Sequence, residues 1–129
     1  VFFGDHQTTN SVIEPILKRN GKSSSTLTQE EQADRYKVPF FIWANFDIEE
    51  ESGVETSANY LASRTLEAAG VPMDGYYAWL SGFAETVPVI SANHVTLADG
   101  TFTSADDQSE LLSDYRGYQY YRLFDSSAD

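Results

Sequence analysis

Residues 1–7 read VFFGDHQ, an apolar run that ends at a glycine and continues directly into a carboxylate and an imidazole. Three consecutive apolar residues are typical of a strand buried on both faces of a parallel sheet. Gly4 permits an unusual backbone turn or a close approach at the end of this strand. Asp5 and His6 would then lie at the carboxyl end of the strand, the edge where open α/β sheets bind ligands.

A second apolar run, PFFIWAN at residues 39–45, predicts another strand of the same kind. Asp99 and Gly100 form the tight turn of a late antiparallel hairpin over residues 94–103, followed by a helix that Ser104 caps. Interleaved strands and helices predict an α/β class. The other predicted helices cover residues 11–20 (starting near Ile13 or Glu14, because Pro15 suits only a first turn), 28–36, about 57–69 and about 75–87. The residues predicted to cap the last three are a capping box of Thr28 and Glu31, either Thr56 or Ser57, and Asp74.

The predicted organisation is one portion of a larger domain. Two core strands are too few for a complete sheet, so we expect the missing strands upstream of Val1. Residues from about 1 to 90 would form the edge of a main α/β layer, and those from about 91 to 129 a hairpin and a C-terminal helix. An incomplete sheet exposes a strand edge and apolar surface, which favours self-association.

Charge and composition exclude several classes of partner. The 129 residues carry 20 acidic and 8 basic side chains, a net charge of −12. This surface repels phosphate backbones, so no nucleic-acid partner is expected. The chain has no cysteine, which excludes disulfides and thiolate metal sites. No apolar run approaches the ~20 residues that span a bilayer, so no membrane span is expected in this chain.

Asp5 and His6 are the strongest candidates for chemistry. A carboxylate oxygen beside an imidazole nitrogen suits zinc or manganese, although two ligands do not complete a coordination shell. The alternative is a turn in which Asp5 caps the next segment and His6 packs locally. The carboxylates of DIEEESG at 47–53 could bind calcium, but the charge run favours a solvated loop. His94 is more typical of a packing residue than of a ligand.

Several aromatic residues near the C-terminus could stack on sugars, but their helical spacing favours core packing. The same alternatives apply to the pair Tyr76 and Tyr77. The residues of the C-terminal set are Tyr115, Tyr118, Tyr120, Tyr121 and Phe124.

The order of the segments resembles the C-terminal third of the sulfatase-like family, in particular its lipoteichoic acid synthase and phosphoglycerol transferase branch. The similar segments are VFFGDHQ (1–7), VPFFIWANFDI (38–48), ETSANYLASRTLEAAGVP (55–72), YYAWLSGFAETVPVISANHV (76–95) and YRGYQYYRLF (115–124). Together they cover nearly the whole chain.

The resemblance implies an alkaline-phosphatase-like fold, with a large sheet between helices and a smaller C-terminal antiparallel subdomain. It also implies a divalent cation, commonly manganese, with zinc, magnesium or calcium as alternatives. Asp5 and His6 match the family's Asp-His metal-ligand pair, and Gln7 would lie at the rim of the site. Where many members continue with proline, this chain has Thr8, so we expect a loop of different shape.

The implied activity is that of a larger extracytoplasmic enzyme on the bacterial cell membrane. Its substrate would be a phosphoglycerol-bearing lipid or another phosphate or sulfate ester. An upstream threonine would attack the head group, and an acceptor hydroxyl would resolve the covalent intermediate. We therefore expect these 129 residues alone to be inactive and their metal site to be largely unoccupied, because two ligands leave a cation mostly hydrated. The alternative hypothesis is a non-catalytic glycan-binding or interaction module with an aromatic surface.

Overall fold

The computed structural model describes residues 1–124. The chain separates into two compact units, Val1–Trp43 and Ala44–Asp129. The first unit contains β1 (Phe2–Phe3), α1 (Asn10–Arg19), α2 (Gln29–Asp34) and β2 (Phe40–Phe41). The second contains a 3₁₀ turn (Ala58–Tyr60), α3 (Leu61–Ala68), α4 (Gly75–Thr86), β3 (Val89–Ile90), β4 (His94–Thr96), β5 (Phe102–Ser104) and α5 (Leu111–Phe124).

Strands β1 and β2 pair with each other in antiparallel orientation. Phe2 lies opposite Phe41, and their rings stack with centroids 5.3 Å apart. The predicted parallel sheet with both faces buried is therefore wrong for the described residues. Val1, Phe2 and Phe3 are all exposed, because within residues 1–124 no helix or second sheet covers them. An apolar run predicts burial only where another element lies over it.

Helix α1 begins at Asn10, earlier than the predicted start near Ile13. Pro15 therefore lies inside the helix rather than in its first turn. The backbone amides of Val12 and Ile13 both donate to the Thr9 carbonyl at 3.0 and 3.2 Å, so the first turn closes before the proline. The missing amide of Pro15 removes one later bond without preventing this nucleation.

Helix α2 has the predicted capping box. The Thr28 hydroxyl accepts from the Glu31 backbone amide at 3.2 Å, and the Glu31 carboxylate accepts from the Thr28 amide at 2.9 Å. These reciprocal bonds satisfy two amides that the helix leaves without internal partners. Within residues 1–43, Leu27 is the one buried side chain, so this unit has little core of its own.

In the second unit, β3, β4 and β5 form a three-stranded antiparallel sheet in that order. The predicted hairpin is confirmed, and β3 adds a strand on the other side of β4. Asp99 and Gly100 form the turn. The Asp99 carboxylate accepts from the Thr101 amide at 2.8 Å, and Gly100 has φ 83°, which glycine adopts without strain.

The core of the second unit consists of two clusters of buried side chains. One joins helix α4 to the 3₁₀ turn and α5 and contains Tyr60, Leu80 and Tyr115. The other lies under the sheet and contains Val87, Val95, Ala105 and Leu112. Burial of each large side chain contributes about 1.5–3 kcal/mol.

The molecule is thus a mixture of helices and small antiparallel sheets, in agreement with a mixed helix-and-strand class. The alkaline-phosphatase-like fold stays a prediction, as does the division near residue 90. Between residues 1 and 124, no helix has the length and apolar character that crossing a membrane requires.

Candidate functional site

Asp5 and His6 directly follow β1 and Gly4, in the first unit. Both side chains are largely exposed, with relative accessibilities of 84% and 80%. The Asp5 Oδ1 atom lies 3.6 Å from the His6 Nε2 atom. The two candidate metal-binding atoms are therefore close together and exposed to solvent.

A hydrogen bond at the other ring nitrogen orients the imidazole of His6. Its Nδ1 atom lies 3.0 Å from the backbone carbonyl oxygen of Gln7. A carbonyl can only accept, so this bond requires the proton on Nδ1 in the neutral ring. Nε2 then carries the free lone pair, beside the Asp5 carboxylate. Metal-binding histidines commonly have this arrangement, in which a backbone carbonyl fixes the tautomer.

The backbone around the pair is attached to the segment that leads into β2. The Gly4 amide donates to the Pro39 carbonyl at 3.2 Å, and the Gln7 side-chain amide donates to the Lys37 carbonyl. A Cβ atom on Gly4 would lie 3.0 Å from the Cβ atom of Val38. A side chain at position 4 would therefore press against Val38, which gives a physical reason for the glycine in the GDH sequence.

The Asp5 carboxylate and the His6 imidazole fit two ligand positions of a divalent cation. Two ligands that share one cation at bond lengths of about 2.0–2.2 Å stand ~3.0–3.5 Å apart, close to the 3.6 Å between Oδ1 and Nε2. A carboxylate oxygen with an imidazole nitrogen suits manganese and zinc. Across residues 1–124, however, no three His, Cys, Asp or Glu side chains come together in a metal-binding group. The described residues thus supply two ligands of a shell that needs more.

The acidic loop at residues 47–53 lies in the second unit, and its carboxylates are exposed. The Glu51 carboxylate lies 3.5 Å from the Arg64 guanidinium. Arg64 also donates to the Thr56 hydroxyl at 3.3 Å. These contacts place one end of the loop against α3, and the described carboxylates of the loop form no metal-binding group.

His94 packs within the small sheet of the second unit. Its ring stacks on Phe102 with centroids 4.8 Å apart, and its Nδ1 atom lies 2.7 Å from the Ser91 hydroxyl. The same hydroxyl accepts from the backbone amides of Asn93 and His94 at 3.3 and 3.0 Å. A serine oxygen used in this way stabilises the turn between β3 and β4. The stacking of His94 on Phe102 agrees with the prediction of a surface or packing residue. The contact between Ser91 and His94 was not predicted.

The C-terminal aromatic residues divide into two groups. Tyr115 is buried and stacks on Phe83, as the core-packing interpretation predicted. Tyr118 stacks on Trp79 with centroids 4.4 Å apart, although it remains half exposed. Core packing is wrong for the remaining three, whose side chains are more than half exposed: Tyr120, Tyr121 and Phe124.

Tyr76 and Tyr77 lie beneath the guanidinium of Arg122. The Arg122 Cζ atom is 5.9 Å from the centre of one ring and 6.0 Å from the other. Burial raises the pKa of Tyr76 and of Tyr115 above the usual value. Burial of Tyr76 and Tyr115 thus favours their neutral form, in keeping with a role in packing.

Comparison of the chain with protein-family models, curated proteins and solved structures found no match. The functional interpretation therefore depends on the geometry of the described residues and on the resemblance in sequence.

Proposed function

We propose that this chain is the C-terminal part of an extracytoplasmic, metal-dependent phosphoglycerol transferase of the lipoteichoic acid synthase type, or of a related hydrolase of phosphoric or sulfuric esters. Asp5 and His6 are the chain's contribution to the metal site. The observation that carries the proposal is their geometry: Oδ1 and Nε2 lie 3.6 Å apart, while the Gln7 carbonyl binds the other ring nitrogen. This separation is close to that of two ligands that share one cation.

A divalent cation at such a site, manganese first and zinc, magnesium or calcium otherwise, lowers the pKa of a bound hydroxyl and neutralises charge on phosphoryl oxygens. Asp5 would hold the cation by its negative charge, and His6 by the lone pair on Nε2. Gln7 would orient His6 from the rim. The substrate would be a phosphoglycerol-bearing lipid or another phosphate or sulfate ester at the outer face of a bacterial membrane.

The exposed apolar surface around the pair supports a role within a larger protein. Val1, Phe2, Phe3 and Phe41 are each about half exposed or more, next to the two proposed ligands. Solvent-exposed aromatic rings of this size are costly unless another surface covers them. Polypeptide that covered β1 and β2 could also bring the remaining ligands to Asp5 and His6. The nucleophile would come from the same source, so the 129 residues alone should not turn over an aryl phosphate.

The test is substitution in the complete protein that contains this chain. We expect Asp5→Asn together with His6→Gln to remove bound manganese and to abolish transfer from a phosphoglycerol lipid. Asp47→Asn is the matched control, because it removes an exposed carboxylate from the acidic loop. Unchanged metal content and turnover in the double variant would refute the proposal.

A second candidate function is a non-catalytic module that binds glycans. The exposed rings of Tyr120, Tyr121 and Phe124 on α5 favour it, because aromatic faces stack on sugars. A titration with cell-wall oligosaccharides, followed by tyrosine fluorescence, separates the two candidates. Saturable binding that Tyr121→Ala removes would favour the module, and no binding would favour the metal-site proposal.

A further inference from the structure

Gln7 makes two hydrogen bonds that connect the candidate site to another part of the first unit. Its backbone carbonyl accepts from His6 Nδ1 at 3.0 Å. Its side-chain amide donates to the backbone carbonyl of Lys37, which lies 30 residues further along the chain. Gln7 is thus hydrogen-bonded both to the imidazole of His6 and to a backbone segment that is distant in sequence.

The short loop from Gly4 to Gln7 is fixed at both ends to the segment before β2. At the first end, the Gly4 amide donates to the Pro39 carbonyl at 3.2 Å. At the second end, the side-chain amide of Gln7 donates a hydrogen bond to the backbone carbonyl of Lys37. Asp5 and His6 lie between these two attachments and are mostly in solvent. Packing does not hold their side chains, so the two attachments have to fix the backbone that carries them.

We propose that Gln7 is a positioning residue: its side-chain bond to the Lys37 carbonyl holds its own backbone carbonyl under His6 Nδ1, which keeps His6 Nε2 unprotonated and directed at the Asp5 side. This inference rests on the proposed function, in which Nε2 is the metal-binding atom. Hydrogen-bonded partners of this kind fix the tautomer and orientation of metal-binding histidines, and their removal commonly weakens metal affinity by about 10–100-fold.

The experiment measures the tautomer of His6 directly in the 129-residue chain. The chain has two histidines, so long-range proton–nitrogen NMR spectra of the imidazoles contain two ring systems. His94 serves as an internal reference, because its ring stacks on Phe102 and its Nδ1 atom lies against the Ser91 hydroxyl, both in the second unit. Spectra are recorded at alkaline pH, where both rings are neutral.

Two variants remove the donor of Gln7 in different ways. Gln7→Glu keeps the size of the side chain but cannot donate from its carboxylate, and Gln7→Ala removes the side chain altogether. We expect the ratio of Nδ1–H to Nε2–H forms of His6 to fall roughly two- to fivefold in both, as expected for the loss of one exposed hydrogen bond. Gln32→Ala is the matched control, since Gln32 also donates its side-chain amide to a backbone carbonyl in the same unit, that of Leu27 at 3.2 Å.

The readout separates this inference from the proposed function. An unchanged tautomer ratio in Gln7→Glu and Gln7→Ala, or an equal change in Gln32→Ala, would overturn the positioning role. Manganese titrated into the wild-type and Gln7→Ala samples tests the metal pair itself: selective broadening of the Asp5 and His6 signals that weakens in Gln7→Ala supports the inference, while Gln7→Glu is left out because its carboxylate would itself attract the ion. A shifted tautomer without any broadening in the wild-type chain would instead count against the metal site and leave the positioning of His6 established.

Discussion

Replacement of Tyr60 by phenylalanine tests the core of the second unit at a single buried oxygen. The Tyr60 side chain is 1% exposed, and its hydroxyl donates to the backbone carbonyl of Val87 at 2.8 Å. Val87 is itself fully buried. The hydroxyl therefore connects the 3₁₀ turn before α3 to the end of α4, between the two core clusters.

The expected loss of stability follows from what the substitution leaves behind. A typical internal hydrogen bond contributes about 0.5–1.5 kcal/mol, and a buried group that loses its partner costs about 1–3 kcal/mol. The ring remains, so no large cavity forms. We therefore expect Tyr60→Phe to lower the free energy of unfolding of this unit by about 1–3 kcal/mol. With urea slopes of about 1–3 kcal/mol per molar, the midpoint should fall by roughly 1 M.

Urea unfolding followed by the fluorescence of Trp79 measures this change in the second unit. Trp43→Phe supplies a background in which Trp79 is the remaining tryptophan. The matched control is Tyr121→Phe, the same chemical change on a side chain that is 60% exposed, for which we expect a change within about 0.5 kcal/mol. Equal midpoints for Tyr60→Phe and the control would refute the role assigned to the buried hydroxyl.

Three further predictions concern other parts of the chain. Asp74→Ala should destabilise the second unit by about 1 kcal/mol, because Asp74 accepts from the Tyr77 amide at 3.0 Å and caps α4; a thermal melt in which Asp74→Asn fails to retain most of this stability would contradict the capping role. Gly4→Ala should cost about 1 kcal/mol or more, because its Cβ would meet Val38, and hydrogen exchange at β1 should accelerate. Burial raises the pKa of Tyr60, so stability is complete below the ordinary tyrosine value of about 10 and declines as the pH rises above it; an alkaline titration of stability in which Tyr60→Phe loses as much as the wild type would disprove this.

Local signals in the sequence predicted local structure well. The capping box at Thr28 and Glu31, the cap at Asp74 and the turn at Asp99 and Gly100 are all present. Each depends on bonds between residues no more than three apart. Such bonds form in the same way whatever the rest of the chain does, which is why sequence patterns identify them.

Features that depend on distant partners were harder to predict. The run of six apolar residues from Pro39 to Ala44 predicted a long strand, but β2 contains two residues, because β1 offers only a two-residue partner. Ser57 was a predicted helix cap. Its hydroxyl instead accepts from the backbone amide of Ile90, 33 residues away, at 3.1 Å. Nothing in the local pattern distinguishes these two uses of a serine.

The candidate site also combines local contacts, which the sequence predicts, with contacts to distant residues, which it does not. Asp5 and His6 are adjacent in sequence, so their proximity could be predicted, and the structure adds that Oδ1 and Nε2 lie 3.6 Å apart. The tautomer of His6 and the bond from Gln7 to Lys37 could not be predicted, because the second partner lies 30 residues away. No local sequence pattern, of the kind that predicts a capping box, identifies such a contact.

The shared cation at Asp5 and His6 can be tested most directly by paramagnetic line broadening in the purified chain. Manganese at low molar ratio should broaden the amide signals of residues 4–8 first, and Asp5→Asn with His6→Gln should remove this effect. The exposed carboxylates at residues 47–51 provide the internal comparison, since charge alone would attract the ion there. Broadening confined to the acidic loop, with residues 4–8 unaffected, would contradict the proposed metal-ligand pair.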